Sequence, residues 1–406
     1  MAKKKKQIEE SKSADLLSDI KANINEQMNR TVAYNMKEDD PLEVKQWFST
    51  GSTLVDLIMR GELGAEGNRG GVPAGRITLM NGESGAGKSL LAWHTIKDVV
   101  DKGGIAIYID TEGATNLEFA EMIGVDTSKI VFIPDINTIE ETFRIVEIFL
   151  NNLAASKDPD RFGCIVIDSV TALSTEDEDA DDFGGRQYPT KARLMSKGMR
   201  KLQVAISKFN LSLILLNQLR TDINSNSFLG DGFIIPTGTA QIFHASASLR
   251  LYKSTKMKKS TGGDIIGQTI RIKTEKTRFT RPLQEVKIPL HFEYGIQDNI
   301  SIFDFLVKEK LIASAGAYKK ILNWENKEGC NDKGVLSFRG SEWPKLFKDN
   351  KDVKQWALRS VTDVLGRPSE EWYPTDEVTE VVKVVKKSIE ENIEKAKLIE
   401  EAIDES

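Results

Sequence analysis

A chain of 406 residues, 40% hydrophobic and 29% charged, holds enough material for two or three packed domains at roughly 150 residues each. That length argues against a peptide hormone, a disulfide scaffold or a lone zinc module, and the two Cys, Cys164 and Cys330, far apart in sequence, suggest neither a thiolate metal cage nor a disulfide framework. The formal net charge of -5 equals that of residues 374–406 alone, where ten acids face five Lys, so the remainder is balanced and local basic patches can still meet a nucleic acid. No apolar run approaches the roughly 20 residues that span a bilayer, and the Lys-rich start lacks the apolar segment of a secretion signal. The expectation is a cytoplasmic protein with no membrane partner.

In chain order, Leu16 or Leu17, Ile20, Ile24 and Met28 recur at helical steps and predict a helix from Ala14 to about Met28, with a second hydrophobic stretch near Thr31 to Met36. Periodicity alone leaves open whether that face packs on its own domain or on a neighbouring subunit. From Gly51 to about Gly295 the pattern is α/β. Short apolar runs at Ile77–Met80, Ile105–Ile109, Ile130–Ile133, Cys164–Ile167, Leu211–Leu216 and Ala247–Tyr252 predict strands covered on both faces. Residues 265–275 and 283–292 alternate, as half-exposed edge strands do. A helix is predicted near Ser301 to Glu309 and a turn at Gly316; Trp324, Phe338, Trp343, Phe347, Trp356 and Trp372 suffice for a small second core. Beyond Pro374 a broken apolar stripe from Val378 to Ile403 reads as a solvated terminal helix, with coiled-coil pairing or docking as the alternative.

Gly82-Glu83-Ser84-Gly85-Ala86-Gly87-Lys88-Ser89 is a complete Walker A run between a predicted strand and a predicted helix. Glycines let the backbone curl round phosphates, the helix N-terminus offers free N–H groups, Lys88 neutralises β and γ phosphate charge, and Ser89 is a magnesium ligand. Asp168, at the end of Cys164–Ile167, is the second metal-site residue. ATP and Mg2+ are the expected cofactors. Hydrolysis also needs a carboxylate to activate water. Glu112 is favoured for its reach beyond Ile105–Ile109, with Asp110 the competing choice and a loop salt bridge the structural use. Gln218, ending Leu211–Leu216, either senses phosphate or caps the strand.

These motifs resemble the RecA family of DNA recombinases, especially its bacteriophage members. The resemblance runs through Ser49-Thr50-Gly51-Ser52, Gly71 to Ile77, the Walker A run, Ile109-Asp110-Thr111-Glu112 and Ile165 to Ser169. It continues through Ala192 to Leu202, Asn217-Gln218-Leu219-Arg220 and Val307 to Ile312, so that it covers roughly residues 14–345. It implies a RecA-like P-loop ATPase core with a mostly parallel sheet, an N-terminal helical arm and a smaller C-terminal α+β domain. The expected boundaries are 1–48 for the polymerisation arm and linker, 49–295 for the ATPase and DNA-binding core, 296–373 for the smaller domain and 374–406 for the acidic tail.

By resemblance, Glu112 is the water-activating carboxylate and Gln218 the phosphate sensor. Lys276 and Arg278 reach ATP held by an adjacent subunit, Phe119 and Phe292 flank the base, and Phe243 is interfacial. The helix Ala14 to Met28 packs on the neighbouring core. The first DNA loop corresponds to Glu176 through Tyr188, followed by Arg193, and the second to Arg220 through Thr237. Arg186, Tyr188, Arg193, Arg220, Phe228 and Phe233 are the expected DNA contacts, as cations hold backbone phosphate and aromatics wedge against bases. The block Glu176, Asp177, Glu178, Asp179, Asp181 and Asp182 departs from that expectation by repelling phosphate. Lys253, Lys256, Lys258 and Lys259 form a further basic patch.

The function implied is an ATP-dependent recombinase that coats single-stranded DNA as a helical filament, pairs it with homologous duplex and exchanges strands. A single-strand-binding protein and a recombination mediator are expected partners, and the host cytoplasm is the expected location for a phage-encoded chain. The alternatives are a RecA-like repair or motor ATPase without strand exchange, or a nucleotide-gated structural filament.

Overall fold

The structure, a computed structural model, describes residues 16–35, 43–63, 70–180, 190–221, 233–234, 240–259, 263–322, 324 and 334–366. It divides into two units, 1–45 and 46–406. In the first, residues 16–27 are helical. Asn25 fastens the following segment to this helix: its Oδ1 accepts from the Val32 and Ala33 amides at 2.7 and 2.8 Å, and its Nδ2 donates to Ala33 O at 3.0 Å. Leu16, Leu17, Ile20, Ile24 and Met28 lie exposed, at 42–64%.

The second unit begins with β1 (Trp47–Phe48), α1 (Thr53–Arg60), β2 (Val72–Pro73), β3 (Ile77–Gly82), α2 (Lys88–Asp101), β4 (Ile105–Asp110), α3 (Leu117–Met122) and β5 (Ile130–Ile133). It continues with α4 (Ile139–Ala154), β6 (Gly163–Asp168), α5 (Glu176–Ala180), α6 (Thr190–Ile206), β7 (Leu211–Gln218), β8 (Arg220–Thr221), β9 (Phe233–Ile234) and α7 (Ala240–His244). Then follow β10 (Ala247–Lys258), β11 (Ile265–Thr277), β12 (Glu285–His291), β13 (Gly295–Ile296), α8 (Asp298–Lys308), β14 (Ile312–Ala315), β15 (Tyr318–Ile321), β16 (Leu336–Arg339), α9 (Trp343–Asp349) and α10 (Lys351–Leu365).

Nine strands form one sheet in the order β13-β12-β11-β10-β3-β7-β6-β4-β5. From β10 to β5 the pairings are parallel, and from β10 to β13 antiparallel. Side chains along each central strand alternate between two apolar layers, since Cys164 and Val166 join one cluster while Ile165 and Ile167 join the other. Helix α2 covers the first face through Leu91, Ile96 and Val99; α4 and α6 cover the second through Phe143, Val146, Met195, Met199 and Leu202. Gly198 permits that second contact, because a Cβ there would sit 1.9 Å from the Phe143 ring. Among the described residues no helix is long and apolar enough to cross a membrane.

Four expectations change. Strand β5, Ile130–Ile133, is the edge strand beside β4, with Val131 55% exposed, and so is not covered on both faces. Strand β11 is interior, flanked by β10 and β12, because its alternation reflects a polar and an apolar face, not a free edge. Strand β10 runs six residues past Tyr252, to Lys258, paired there with the start of β11 instead of a covered core. The aromatic residues near the C-terminus form no separate core: Trp324, Phe338, Trp343 and Phe347 belong to the cluster that contains Leu54, Leu57 and Ile58, since α1 packs against both α8 and α10. Trp372 lies outside the described residues. The turn at Gly316 is present, joining β14 to β15.

Candidate functional site

The carboxyl ends of four parallel strands meet in register. Gly82 pairs with Gln218, Leu216 with Asp168, and Asp168 with Asp110. Open α/β sheets bind ligands at such an end, where strand order reverses. Beyond Gly82 the chain turns through Gly85 and Gly87, at φ 70° and 88°, into the N-terminus of α2. Gly82 itself is pressed against β10, where a Cβ would approach Leu251 O to 2.7 Å.

The Lys88 ammonium is folded into this loop, donating to Gly82 O and Glu83 O at 2.9 Å each. Burial lowers its pKa, opposed by the negative charges of Asp168 and Glu112. A cavity of about 360 Å³ opens over Ser84, Gly85, Lys88 and Ser89, bounded by Tyr108, Glu112, Phe119, Asp168 and Gln218. A glycine turn, a buried ammonium and the unpaired N–H groups that open a helix fit the phosphates of a nucleoside triphosphate.

Ser89 Oγ donates to Asp168 Oδ2 at 2.6 Å, and the Tyr108 hydroxyl donates to the same oxygen at 2.5 Å. Burial raises the pKa of both Asp168 and Tyr108. Ser89 and Asp168 offer the hard oxygen donors that suit Mg2+, and a cation there would favour the ionised carboxylate. The Asp168–Ser169 peptide is cis.

The two neighbouring acids do different work. Asp110 is 3% exposed and accepts from the amides of Glu112 (3.0 Å), Gly113 (2.9 Å) and Thr115 (2.9 Å), so both its oxygens are spent shaping the turn. The Glu112 carboxylate is held by side chains: Gln218 Nε2 donates to Oε1 and Oε2 at 2.7 and 2.8 Å, and the Ser169 hydroxyl donates to Oε1. Gln218 and Glu112 thus face each other across the cavity mouth.

Phe119 lines the cavity, whereas Phe292, 47% exposed, lies outside its lining. Lys276 and Arg278 also lie elsewhere: Lys276 Nζ donates to Ile242 O and Phe243 O at 2.7 Å, at the end of α7, and Phe243 is 75% exposed. Arg193 on α6 and Arg220 on β8 are exposed. Strands β8 and β9 pair Thr221 with Phe233, closing the base of the second loop. Arg186, Tyr188 and Phe228 fall outside the described residues. Of the acidic block, Glu176 to Ala180 is a short helix, with Glu178 N donating to Thr175 Oγ1 at 3.1 Å. Lys253, Lys256, Lys258 and Lys259 are exposed on the β10–β11 hairpin.

Sequence reasoning missed Tyr108 and Trp93, which stack with ring centroids 4.3 Å apart and line the cavity. The available signal was Tyr108 itself, a polar-tipped residue in an otherwise aliphatic run.

A family model described as the RecA N-terminal domain matches residues 16–297. Protein RecA of Wolbachia sp. subsp. Brugia malayi (strain TRS) is 31% identical over 329 residues, 81% of this chain and 84% of that protein. Protein RecA of Staphylococcus aureus (strain JH9) is 29% identical over 319 residues, 78% and 83% of the respective chains. The crystal structure of the RadB recombinase covers 61% of this chain and 98% of its own at 22% identity, with a TM-score of 0.43.

Proposed function

The chain belongs to the RecA family, and on that premise we propose that it is an ATP-dependent recombinase that forms a filament on single-stranded DNA and exchanges strands with homologous duplex. The observation that carries this is the Glu112 carboxylate, clasped by Gln218 and Ser169 beside the Lys88, Ser89 and Asp168 set. In this reading residues 1–48 are the polymerisation arm, 49–295 the ATPase and DNA-binding core, 296–373 a smaller domain and 374–406 an acidic tail.

Lys88 exchanges its two carbonyl partners for β and γ phosphate oxygens, which carry more negative charge. Ser89 and Asp168 hold magnesium, which when bound neutralises charge on the phosphates. Glu112 accepts the proton of the attacking water. Gln218 must loosen its double hold on Glu112 for this, so the amide that reads the terminal phosphate also gates the base. Because a single residue, Leu219, separates Gln218 from β8, its movement pulls on the second DNA loop. Lys276, Arg278 and the exposed Phe243 meet the adjacent subunit, Phe119 and Phe292 flank the base, and Arg193, Arg220 and Phe233 contact DNA.

The decisive experiment mixes the protein with single-stranded DNA, homologous duplex, ATP and magnesium, and measures joint molecules. Their formation is expected; DNA binding and ATP turnover without joint products would favour the motor or repair ATPase. Glu112→Gln keeps the size of the side chain and one acceptor oxygen for Gln218 or Ser169, turns the other acceptor into an amide donor, and cannot take the proton. Nucleotide binding should persist while single-turnover hydrolysis falls by about 100-fold or more. Near-normal hydrolysis would remove Glu112 as the base.

A further inference from the structure

A chain of polar side chains runs through the interior of the sheet beside the strand that opens the phosphate loop. Asn217 Nδ2 donates to Gln241 Oε1 at 2.7 Å and to Asn81 Oδ1 at 2.9 Å. Asn81 Nδ2 donates to Ser248 Oγ and to Glu275 Oε2, each at 3.0 Å, and Ser248 Oγ donates to the same Glu275 oxygen at 3.0 Å. Arg250 pairs with the other oxygen of Glu275. Asn81, Asn217, Gln241 and Ser248 are fully buried. Buried polar groups are costly unless partnered, so this chain is an ordering device that holds its members in one arrangement.

Its end lies on a β-bulge. The β10–β11 register passes from Ser248 opposite Lys276 to Leu249 opposite Thr274, which leaves Glu275 as an extra residue. In a regular strand consecutive side chains leave opposite faces, whereas a bulge lets two neighbours share one and re-aims them. Glu275 and Lys276 both serve the face of Ser248: the carboxylate is anchored on Asn81, Ser248 and Arg250, and the ammonium reaches the end of α7 beside exposed Phe243.

We propose that Glu275 is a positioning residue for Lys276: its anchored carboxylate fixes the bulge that sets the Lys276 ammonium at the surface where it meets the phosphates of an adjacent subunit's nucleotide. This rests on the reading of Lys276 as an intersubunit contact, given above. The polar chain runs from Glu275, the residue before Lys276, through Asn81 to Asn217.

The test uses the full chain with ATP, magnesium and single-stranded DNA, and compares Glu275→Val, Glu275→Gln, Lys276→Ala and the Glu275→Val/Lys276→Ala double variant. Two quantities are read: binding of a fluorescent ATP analogue at protein concentrations below assembly, and the concentration for half-maximal filament formation by sedimentation. Glu275→Val should raise the assembly concentration about tenfold, and Glu275→Gln, which keeps an acceptor for Asn81 and Ser248, only about twofold. Analogue binding should stay within about twofold in both, and adding Glu275→Val to Lys276→Ala should shift assembly no further. If the valine variant does not fold, the glutamine variant takes its place in the same cycle. Wild-type assembly by Glu275→Val, an additive effect in the double variant, or a parallel loss of analogue binding would overturn the positioning role. Wild-type assembly by Lys276→Ala would instead overturn the intersubunit reading, and no ATP-dependent assembly by the unmodified chain would overturn the filament itself.

Discussion

His94, on the helix that follows the phosphate loop, joins three segments distant in sequence. Its Nε2 accepts from the Ile296 amide at 3.2 Å, and its ring occupies space that only glycine leaves at positions 51 and 295, where a Cβ would come within 2.8 and 2.6 Å. Burial holds its pKa down to about 4, with Lys97 adding to the depression. The unfolded chain therefore takes up a proton near pH 6.5 and the folded one does not, so the His94 contribution to stability is intact above pH 6.5 and fades toward pH 4. Asp56 acts in the opposite sense. Burial pushes it up to about 7 against the bonds from Ser49 and Thr50, so its contribution is intact below its ordinary value of 3.8 and lost as pH rises through 7. His94→Gln removes one of the two. Compared by urea unfolding, the deficit of the variant relative to wild type should shrink by about 2 to 3 kcal/mol between pH 7 and pH 4.5. A deficit that does not change with pH would show that the buried imidazole does not act this way.

At the scale of elements, the exposed stripe from Leu16 to Met28 is too apolar for a face that ends in solvent, and the proposed neighbouring core would cover it. Deleting residues 1–30 should leave a folded ATPase core and abolish continuous filaments on single-stranded DNA, as electron microscopy would show; normal filaments would refute the arm. The central strands were legible because burial on both faces writes an unbroken aliphatic run, as in Cys164–Ile167 and Leu211–Leu216. The outer half of β10 was not, since Lys253 to Lys258 carry no such run and are held by pairing with the start of β11. Within the site, Gly82 to Ser89 and Asp168 were legible as contiguous motifs. The contacts of Tyr108 with Asp168, and of Asn81 with Glu275, arise from strand register between segments separated by dozens to hundreds of residues, which no local pattern records. Lys276, Arg278 and Phe292 are absent from the cavity lining of their own chain.

For the whole molecule, the charge of residues 374–406 accounts numerically for the net charge of -5, while the Lys253 to Lys259 hairpin is exposed and basic. Removing the tail should tighten single-stranded DNA binding about five- to tenfold at low salt and less as salt rises, measured by titration at several ionic strengths. Equal affinity and salt slope in both proteins would leave the tail without an electrostatic role. The position of β3 has a further consequence, for the order of events during synthesis. Its two flanking strands are β7, beginning at Leu211, and β10, beginning at Ala247, so the strand that carries the phosphate loop emerges early and gains its partners late. A nascent chain halted before Ala247 would leave Ile77–Gly82 with an open edge, the condition that invites misassembly in slow parallel sheets. Because Gly82 lies against Leu251 of β10, and Gly87 against Ile270 of β11 and Leu290 of β12, nucleotide binding at this loop would report that these three late strands are in place.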